Sequence, residues 1–266
     1  MSSVDLYNTS YGNSAVEAYR QVRLETYGED FGQTSWTTSE EYREIARLLE
    51  LRRESDVLEI GCGAGGCAVY FAETAGSRVT GLDVNREGVA AANALAKSKG
   101  LEGRASFQEH DVSKGMPFES ATFDAIFSND AFCHFADRLA LLRECLRALK
   151  AGGRMIFSDA LVITGAVTNE EIAARSSIGR YIFVPPGENE RLLAKAGLKL
   201  LRSDDATAAA AAIAQRWHDA RAHRKAILAS IEGEPNFEGL QQFLQCVHTL
   251  TSEKRLSRFL YLAEKT

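Results

Sequence analysis

Three features are absent from this sequence: an excess of basic residues, a long apolar run and a regularly spaced set of cysteines. The chain has 31 Lys and Arg against 36 Asp and Glu, a formal net charge of −5. A broad nucleic-acid-binding face needs clustered Lys and Arg for its phosphate contacts, so this charge balance argues against such a partner. No apolar stretch approaches the roughly 20 residues that cross a bilayer, which argues against a membrane partner as well.

The start of the chain and its cysteines bear on the cellular compartment. Residues 1–5 lack both the basic segment and the apolar core of a secretory signal peptide. The five cysteines are an odd number and show no metal-ligand spacing, so we expect reduced thiols and no metal site. Together these features predict a cytoplasmic protein.

The sequence does contain an alternation of short apolar strands and amphipathic helices between about residues 54 and 204. This alternation is typical of a parallel sheet covered by helices on both faces. The 266 residues suffice for one domain with an elaboration or for two small ones. The predicted strands are 56–60, 78–83, 105–108, 123–128, 153–159, 199–204 and 255–264, and the predicted helices are 65–73, 86–99, 138–148 and 186–196, with an Ala-rich helix at 206–213.

A glycine-rich turn follows the first predicted strand, in the run VLEIGCGAGG at 57–66. Glycine has no Cβ, so backbone and ligand can approach closely there, and the next helix points its N-terminus at the same place. The glycines at 61, 63 and 66 also fit the dinucleotide pattern GxGxxG, which alone is weak evidence. The acidic residue Glu59 lies two positions before the first glycine, and the dinucleotide pattern GxGxxG does not include such a residue.

With Glu59, the run resembles the E/D-x-G-x-G-x-G signature of class I S-adenosylmethionine (SAM)-dependent methyltransferases. In that family the loop lies under the methionine portion of SAM, and the acidic residue orders its surroundings through hydrogen bonds. The resemblance therefore implies that SAM is the cofactor. The cofactor residues it implies in this run are Glu59, Gly61, Cys62 and Gly63.

Two further carboxylates follow predicted strands. Asp83 ends the second strand, where a nucleoside ribose presents its two hydroxyls. Asp111 follows the third strand, and the family resemblance implies that it accepts a hydrogen bond from the adenine amino group. The apolar neighbours Val84 and Val112 are assigned to the same pocket. Taken singly, Asp83 can instead cap a helix, and Asp111 can instead belong to a turn.

The resemblance continues through the fourth strand, 123–129, and the LKAGG turn at 149–153, where Ala151 replaces the usual proline. It covers residues 54 to 160, and it favours SAM over NAD because no acid or base for hydride transfer is recognisable. It implies a Rossmann-like, seven-stranded, mostly parallel sheet with the last strand antiparallel. The expected organisation is a helical lid at 1–50 and a methyltransferase domain at 51–266, with an acceptor-covering insertion near 160–185 and covering helices at 205–252.

The segment SNDAFCHF at 128–135 resembles the S-x-D-A-x-x-H segment of the phosphoethanolamine and sarcosine/dimethylglycine N-methyltransferases. Asp130 either holds a cationic amine or orders the loop. His134 can take the proton that a nucleophilic nitrogen must lose, since its pKa is near neutrality. The alternative is that Asp130 caps the next short helix and that His134 only packs among neighbouring aromatic rings.

The N-terminal zone also resembles the phosphoethanolamine enzymes, through the Y-x(7)-Y spacing of Tyr11 and Tyr19. In that family the first tyrosine pairs with the loop histidine, which makes Tyr11 the expected partner of His134. Tyr19 is a candidate wall of an aromatic cage around the acceptor, because ring faces attract methylated ammonium groups, and the alternative is that it belongs to a buried aromatic stripe on a helix. Ser35 and Asn129 are the expected contacts of lid and loop with the cofactor.

Arg180 and Tyr181 lie in the segment with which the phosphoethanolamine enzymes hold phosphate. The tyrosine expected after Asp159 is Ala160, however, so a carboxylate-bearing or larger amine is as good a candidate as a phosphate. The sequence thus predicts methyl transfer from SAM to a small molecule, with an amine nitrogen favoured. The alternatives are O- or C-methylation of a natural product, and SAM binding without catalysis. The oligomeric state stays open.

Overall fold

A seven-stranded sheet runs through the computed structural model, which describes residues 4–266. The first three residues, on which the expectation of no signal peptide partly rests, lie outside the described residues. The strand order is β3-β2-β1-β4-β5-β7-β6, with β7 antiparallel to both of its neighbours. This arrangement confirms the predicted fold. The strands are β1 Asp56–Ile60, β2 Arg78–Asp83, β3 Ala105–Glu109, β4 Phe123–Ser128, β5 Leu149–Ile163, β6 Lys199–Asp205 and β7 Leu256–Glu264.

Helices flank the sheet on both faces and cover one of its edges. The helices predicted at 65–73, 86–99, 138–148 and 186–196 agree with the observed ones to within about two residues, and the Ala-rich helix predicted at 206–213 continues to Ala222. The helices are α1 Tyr7–Gly12, α2 Glu17–Tyr27, α3 Ser39–Leu48, α4 Gly66–Thr74, α5 Arg86–Ser98, α6 Arg138–Ala148, α7 Asn169–Arg175, α8 Glu188–Ala196, α9 Thr207–Ala222, α10 Lys225–Glu232 and α11 Glu234–Ser252.

Strand β1 shows why the sheet lies at the centre. Val57, Leu58 and Ile60 are each fully buried, although they point to alternate faces. A parallel strand covered on both faces needs such a continuous apolar run rather than an alternating one. Two hydrophobic clusters, one on each face, then hold the helices.

Strand β5 is longer than predicted, extending over 149–163 instead of 153–159. Its second half pairs with β7, from Arg154 opposite Glu264 to Ile163 opposite Leu256. Because β7 comes from the far end of the chain, the local sequence around residue 160 does not reveal this pairing. The predicted insertion therefore begins as strand and becomes helical only at α7.

A third hydrophobic cluster joins the N-terminal helices to α9 and α11, and we call this assembly the cover. Its centre is aromatic: the rings of Trp36 and Trp217 lie 5.8 Å apart, and Phe243 lies 6.2 Å from Trp36. Helix α3 begins three residues after Trp36 with a capping box between Thr38 and Glu41, and it packs on one face of the sheet. The cover lies over the edge of the sheet where the parallel strands end.

Within residues 4–266, no helix is long and apolar enough to cross a membrane. The same residues contain no group of three or more His, Cys, Asp or Glu side chains that could hold a metal ion. All five cysteines have free thiols.

Candidate functional site

A cavity of about 720 Å³ lies between the cover and the carboxyl ends of the parallel strands. This is the size of a small-molecule site, and open α/β sheets bind their ligands at this edge. All of the sequence-predicted cofactor residues line it. They are Ser35, Glu59, Gly61, Cys62, Gly63, Asp83, Val84, Asp111, Val112 and Asn129.

The glycine-rich loop is held in conformations that suit glycine, with φ of 73° at Gly61 and 49° at Gly63. A Cβ at Gly61 would lie 2.5 Å from the Cβ of Ala131, and one at Gly63 would lie 2.6 Å from the Tyr11 hydroxyl. The two glycines therefore let the loop after β4 and the helix α1 approach, in addition to any ligand.

Asp83 is fixed at the end of β2 by the loop that it faces. Its Oδ2 accepts a hydrogen bond from the backbone N–H of Gly63 at 2.7 Å, and its Oδ1 accepts one from that of Asn85 at 2.8 Å. Burial raises the pKa of this carboxyl. Each oxygen can accept a second hydrogen bond, so the side chain can still receive ligand hydroxyls.

Glu59 is 2% exposed, and its Oε2 has no hydrogen-bond partner among the described residues. Burial, together with the nearby charge of Asp83, raises the pKa of Glu59 well above its usual range. A buried oxygen without a partner in the protein suggests one in a ligand. Two neighbouring acidic groups suit a ligand that carries positive charge, as the ammonium and sulfonium of SAM do.

Val84 and Val112 form an apolar part of the cavity wall. The side chain of Val84 is 67% exposed, and Val112 is buried beside it in the cavity wall. The Oδ1 of Asp111 accepts hydrogen bonds from the backbone and the hydroxyl of Ser113, and its Oδ2 lies 3.4 Å from the ammonium of Lys114. An exposed apolar side chain next to a carboxylate fits a flat ring with an amino group.

Ser35 and Asn129 connect the cover to the end of β4. The Nδ2 of Asn129 donates hydrogen bonds to the Ser35 hydroxyl at 2.9 Å and to the Tyr42 hydroxyl at 3.2 Å. The Oδ1 of Asn129 accepts from the Thr37 hydroxyl. Their contact with a cofactor remains a prediction.

Asp130 has the left-handed φ of 53°. Both oxygens of its carboxylate accept hydrogen bonds from other residues of the protein. Oδ1 accepts hydrogen bonds from Ser158 at 2.7 Å and from Arg258 at 2.9 Å, and Oδ2 accepts from the Trp36 backbone at 2.8 Å. The fully buried Arg258 also donates to Glu41 at 2.6 Å. Of the two roles open from sequence, this geometry favours loop ordering over amine binding.

The hydrogen bonds of His134 fix its tautomer. Its Nδ1 lies 3.0 Å from the backbone carbonyl of Arg180, which can only accept, so Nδ1 carries the hydrogen. In the neutral ring Nε2 then has the lone pair, and it accepts from the Tyr7 hydroxyl at 3.1 Å. Burial lowers the pKa of His134, and the charge of Arg175 lowers it further. The ring is therefore a neutral base at pH 7.

The expected pairing of Tyr11 with His134 was wrong, because Tyr7 occupies that place. The Tyr7 hydroxyl also lies 2.9 Å from that of Tyr181. Tyr11 follows Tyr7 by one turn of α1, and its hydroxyl lies against the glycine loop instead. The Y-x(7)-Y spacing selects Tyr11, because Tyr19 follows it by eight positions, whereas Tyr7 lies one turn earlier on the same helix face and has no tyrosine at that spacing.

Tyr19 was expected in the cavity wall around the acceptor, but the structure places it elsewhere. Within the described residues it is absent from the cavity wall, and its hydroxyl donates to Glu232 at 3.1 Å inside the cover. Glu232 is paired with the buried Arg221. This interior network accounts for the burial of Tyr19.

The insertion contributes two arginines, and sequence analysis selected only one of them. Arg180 supplies its carbonyl to His134, while its side chain is exposed at the cavity rim. Arg175, at the end of α7, is 2% exposed and lies in the cavity wall with Tyr181. In the sequence EEIAAR nothing distinguishes Arg175 from a solvated arginine on an amphipathic helix.

Comparisons with known proteins find similarity to methyltransferases. Residues 58–157 match the family described as a methyltransferase domain. An O-methyltransferase resE from Aspergillus sclerotiorum is 31% identical over 167 residues, which are 61% of this chain and 62% of that protein. Phosphoethanolamine N-methyltransferase 3 from Arabidopsis thaliana is 32% identical over 58% of this chain and 30% of that protein. The chain thus spans less than two thirds of the length of these relatives.

Among solved structures, a phosphoethanolamine N-methyltransferase 2 from Haemonchus contortus, in complex with phosphomonomethylethanolamine and S-adenosylhomocysteine, is similar in fold. It has a TM-score of 0.80 and 20% identity over 98% of this chain and 60% of that one. At this identity the likeness concerns the fold alone.

Proposed function

We propose that this chain, whose residues 58–157 match the family described as a methyltransferase domain, transfers a methyl group from SAM to a small molecule, with an amine nitrogen as the favoured acceptor atom. The observation that carries this proposal is the lone pair on Nε2 of His134, which faces the Tyr7 hydroxyl in the same cavity as the glycine loop and Asp83.

The cofactor end of the site supports the proposal through residues that fit SAM. Glu59 and the glycine loop would hold the methionine portion, Asp83 the ribose, and Val84 with Asp111 the adenine. SAM supplies an electrophilic methyl group on its sulfonium. The protein's contribution is to hold the acceptor in line with that methyl group at contact distance.

The acceptor end provides a route for the proton. An ammonium has no lone pair, so the acceptor must lose a proton before its nitrogen can attack. Burial raises the pKa of Tyr7 well above its usual range, so its hydroxyl stays protonated. Tyr7 can then receive the acceptor's proton as it passes its own to Nε2 of His134. This relay makes His134 the base and Tyr7 the group that touches the acceptor.

A second function, methylation of oxygen or carbon in a natural product, is favoured by the named O-methyltransferase among the relatives. A hydroxyl also loses a proton when it is methylated, so the same relay would serve it. The geometry of the base therefore suits either a nitrogen or an oxygen acceptor, and the acceptor screen distinguishes them.

We also propose that residues 1–50 act as a lid over the domain at 51–266, with the insertion near 160–185 and the helices at 205–252 closing the acceptor side.

A screen of small amines, phenols and polyketides that detects S-adenosylhomocysteine tests the function. Turnover of amines supports the favoured function, and turnover of phenols alone supports the second. SAM binding without turnover of any acceptor would point to a binding module, and NAD binding without SAM binding would refute both enzyme proposals.

A further inference from the structure

The segment 180–183 supplies a group that the proposed relay needs, although it belongs to neither a helix nor a strand. The backbone carbonyl oxygen of Arg180 lies 3.0 Å from Nδ1 of His134. This contact keeps the hydrogen on Nδ1 and the lone pair on Nε2, where the relay requires it. The base therefore depends on the position of one carbonyl group, and no regular secondary structure holds the segment at this point.

Ile182, two residues further on, is held at both of its backbone groups. Its N–H donates to the backbone carbonyl of Cys133 at 2.7 Å, and its carbonyl accepts from Nη2 of Arg138 at 2.9 Å. Because Cys133 precedes His134, the segment and the histidine loop are joined at two neighbouring points. Arg138, the first residue of α6, adds a third contact from outside both of them.

The guanidinium of Arg138 is itself held by two buried side chains. Its Nη1 donates to the carboxylate of Asp159 in β5 and, at 2.7 Å, to Oδ1 of Asn189 in α8. Nδ2 of Asn189 donates to the same carboxylate at 3.0 Å, so the three side chains bind one another. The side chains of Arg138 and Asp159 are 3% and 0% exposed. One arm of the arginine fork is thus fixed on the body of the domain, and the other arm holds the Ile182 carbonyl.

The stability of α6 does not account for an arginine at position 138. A positive charge in the first turn of a helix is unfavourable, because the N-terminal end of the helix dipole is positive. A buried ion pair adds little net stability, since the desolvation of both charges offsets their attraction. Nε of Arg138 also has no hydrogen-bond partner among the described residues, which adds to the cost of burial. The hydrogen bond to the Ile182 carbonyl is the contact that an apolar side chain at this position could not make.

We propose that Arg138 is a positioning residue for the base. Through Ile182 it fixes the carbonyl of Arg180, and through that carbonyl it fixes the tautomer and the ring orientation of His134. Among the described residues Arg138 is not part of the cavity wall, so it acts without touching acceptor or cofactor. This inference rests on the proposed function and deepens it by naming the side chain that keeps its base in the competent state.

The tautomer of His134 can be measured by NMR without any methyl acceptor. In protein labelled with nitrogen-15 in its five histidines, the chemical shifts of the ring nitrogens distinguish a protonated nitrogen from an unprotonated one. Signals that are missing from the spectrum of His134→Gln belong to His134. At slightly alkaline pH the wild type should show a protonated Nδ1 and an unprotonated Nε2 for this residue.

Arg138→Lys keeps the positive charge beside Asp159 but loses the planar fork, so it holds the Ile182 carbonyl less well. The His134 signals should then move towards a mixture of the two tautomers. We expect kcat to fall by about tenfold or more, because a small displacement of a proton-transfer group is costly. The KM for the acceptor should change less than kcat, since Arg138 does not touch the acceptor.

Arg221→Lys is the matched control. Arg221 and Glu232 form a buried ion pair with the same side-chain exposures of 3% and 0%, but inside the cover. Neither residue belongs to the cavity wall in the part of the chain that the structure describes. This variant should lower the melting temperature and leave the His134 signals and kcat unchanged.

A purely structural role for Arg138 predicts that both lysine variants lose stability and keep the wild-type His134 signals, and that result would overturn the proposal. A wild-type His134 with its hydrogen on Nε2, an equal spectral change in Arg221→Lys, or full turnover in Arg138→Lys despite altered signals would also overturn it. If no cofactor binds and no acceptor is methylated, the proposed function fails, and the spectra still decide whether Arg138 controls the tautomer.

A second variant serves if Arg138→Lys does not fold. Asn189→Ala removes one support of the guanidinium and leaves the ion pair with Asp159 in place. It should move the His134 signals in the same direction, and unchanged signals in this variant would overturn the proposal.

Discussion

Replacing Tyr7 by phenylalanine isolates the proton relay from the rest of the site. The change removes one hydroxyl, which lies 3.1 Å from Nε2 of His134 and 2.9 Å from the Tyr181 hydroxyl. The ring, and with it the packing of α1, is retained. Loss of a proton-transfer group lowers rates by roughly 10²–10⁴-fold. Because His134 remains in place and water can partly substitute, we expect a loss near the lower end, about 100-fold in kcat.

The matched variant is Tyr11→Phe, one helical turn away. Its hydroxyl lies against Gly63 in the cofactor loop rather than at His134. We therefore expect a kcat within about threefold of the wild type, together with weaker SAM binding. A third variant, Tyr19→Phe, removes a hydrogen bond to Glu232 inside the cover and should reduce stability without changing kcat.

Steady-state kinetics with the acceptor found in the screen, and calorimetry with SAM, measure these effects. The reasoning would be refuted if Tyr11→Phe lost as much kcat as Tyr7→Phe. It would also be refuted if Tyr7→Phe kept full turnover, because the base would then have another route to the acceptor. Loss of SAM binding in Tyr7→Phe would show that the hydroxyl serves the cofactor and not the relay.

Three further predictions follow from the site and its supports. Asp83→Ala should weaken SAM binding by about 1.5–3 kcal/mol in calorimetry, as expected for hydrogen bonds to a charged group, and an unchanged affinity would contradict the ribose assignment. Since burial lowers the pKa of His134, the histidine stays neutral until the pH falls below its usual 6.5; the acid limb of kcat/KM should therefore lie below pH 6.5, and a limb above it would contradict the assignment of this base. Arg258→Met should lower the free energy of unfolding in urea by about 3–5 kcal/mol, because Asp130 and Glu41 lose their buried partner, and a loss under 1 kcal/mol would show that these contacts are dispensable.

The sheet, and the grouping of the proposed cofactor residues around one cavity, were predictable because their signals are local. A strand, a glycine turn and a carboxylate at the strand end occur within a few residues of one another, as in the run from Val57 to Gly63 or at Asp83. Parallel strands end at the same edge, so these local signals already place the side chains together.

The acceptor half depends on contacts between distant segments, which no local pattern contains. The carboxylate of Asp130 is engaged by Arg258, 128 residues later in the chain. Arg175 is buried because Phe243 of α11 packs against it. The sequence around an exposed arginine could be the same, so the local sequence does not reveal this burial. The choice between Tyr7 and Tyr11 depends on the position of α1 along its own axis relative to His134, because the two residues lie one turn apart on the same face, and local sequence does not determine that position.

The hydrogen bonds of Arg258 have a consequence for the route by which ligands enter. This residue anchors β7 to the loop after β4 and to the first turn of α3, so these elements must move together if they move at all. Helix α1 makes no ion pair of this kind among the described residues and is held by the hydrogen bonds of the Tyr7 hydroxyl and by the exposed bond between Asn8 and Asn85. We therefore expect α1 to move away from the cavity when a ligand enters, while α3 keeps its position. Hydrogen exchange should then be faster in α1 than in α3, and ligand should slow it mainly in α1.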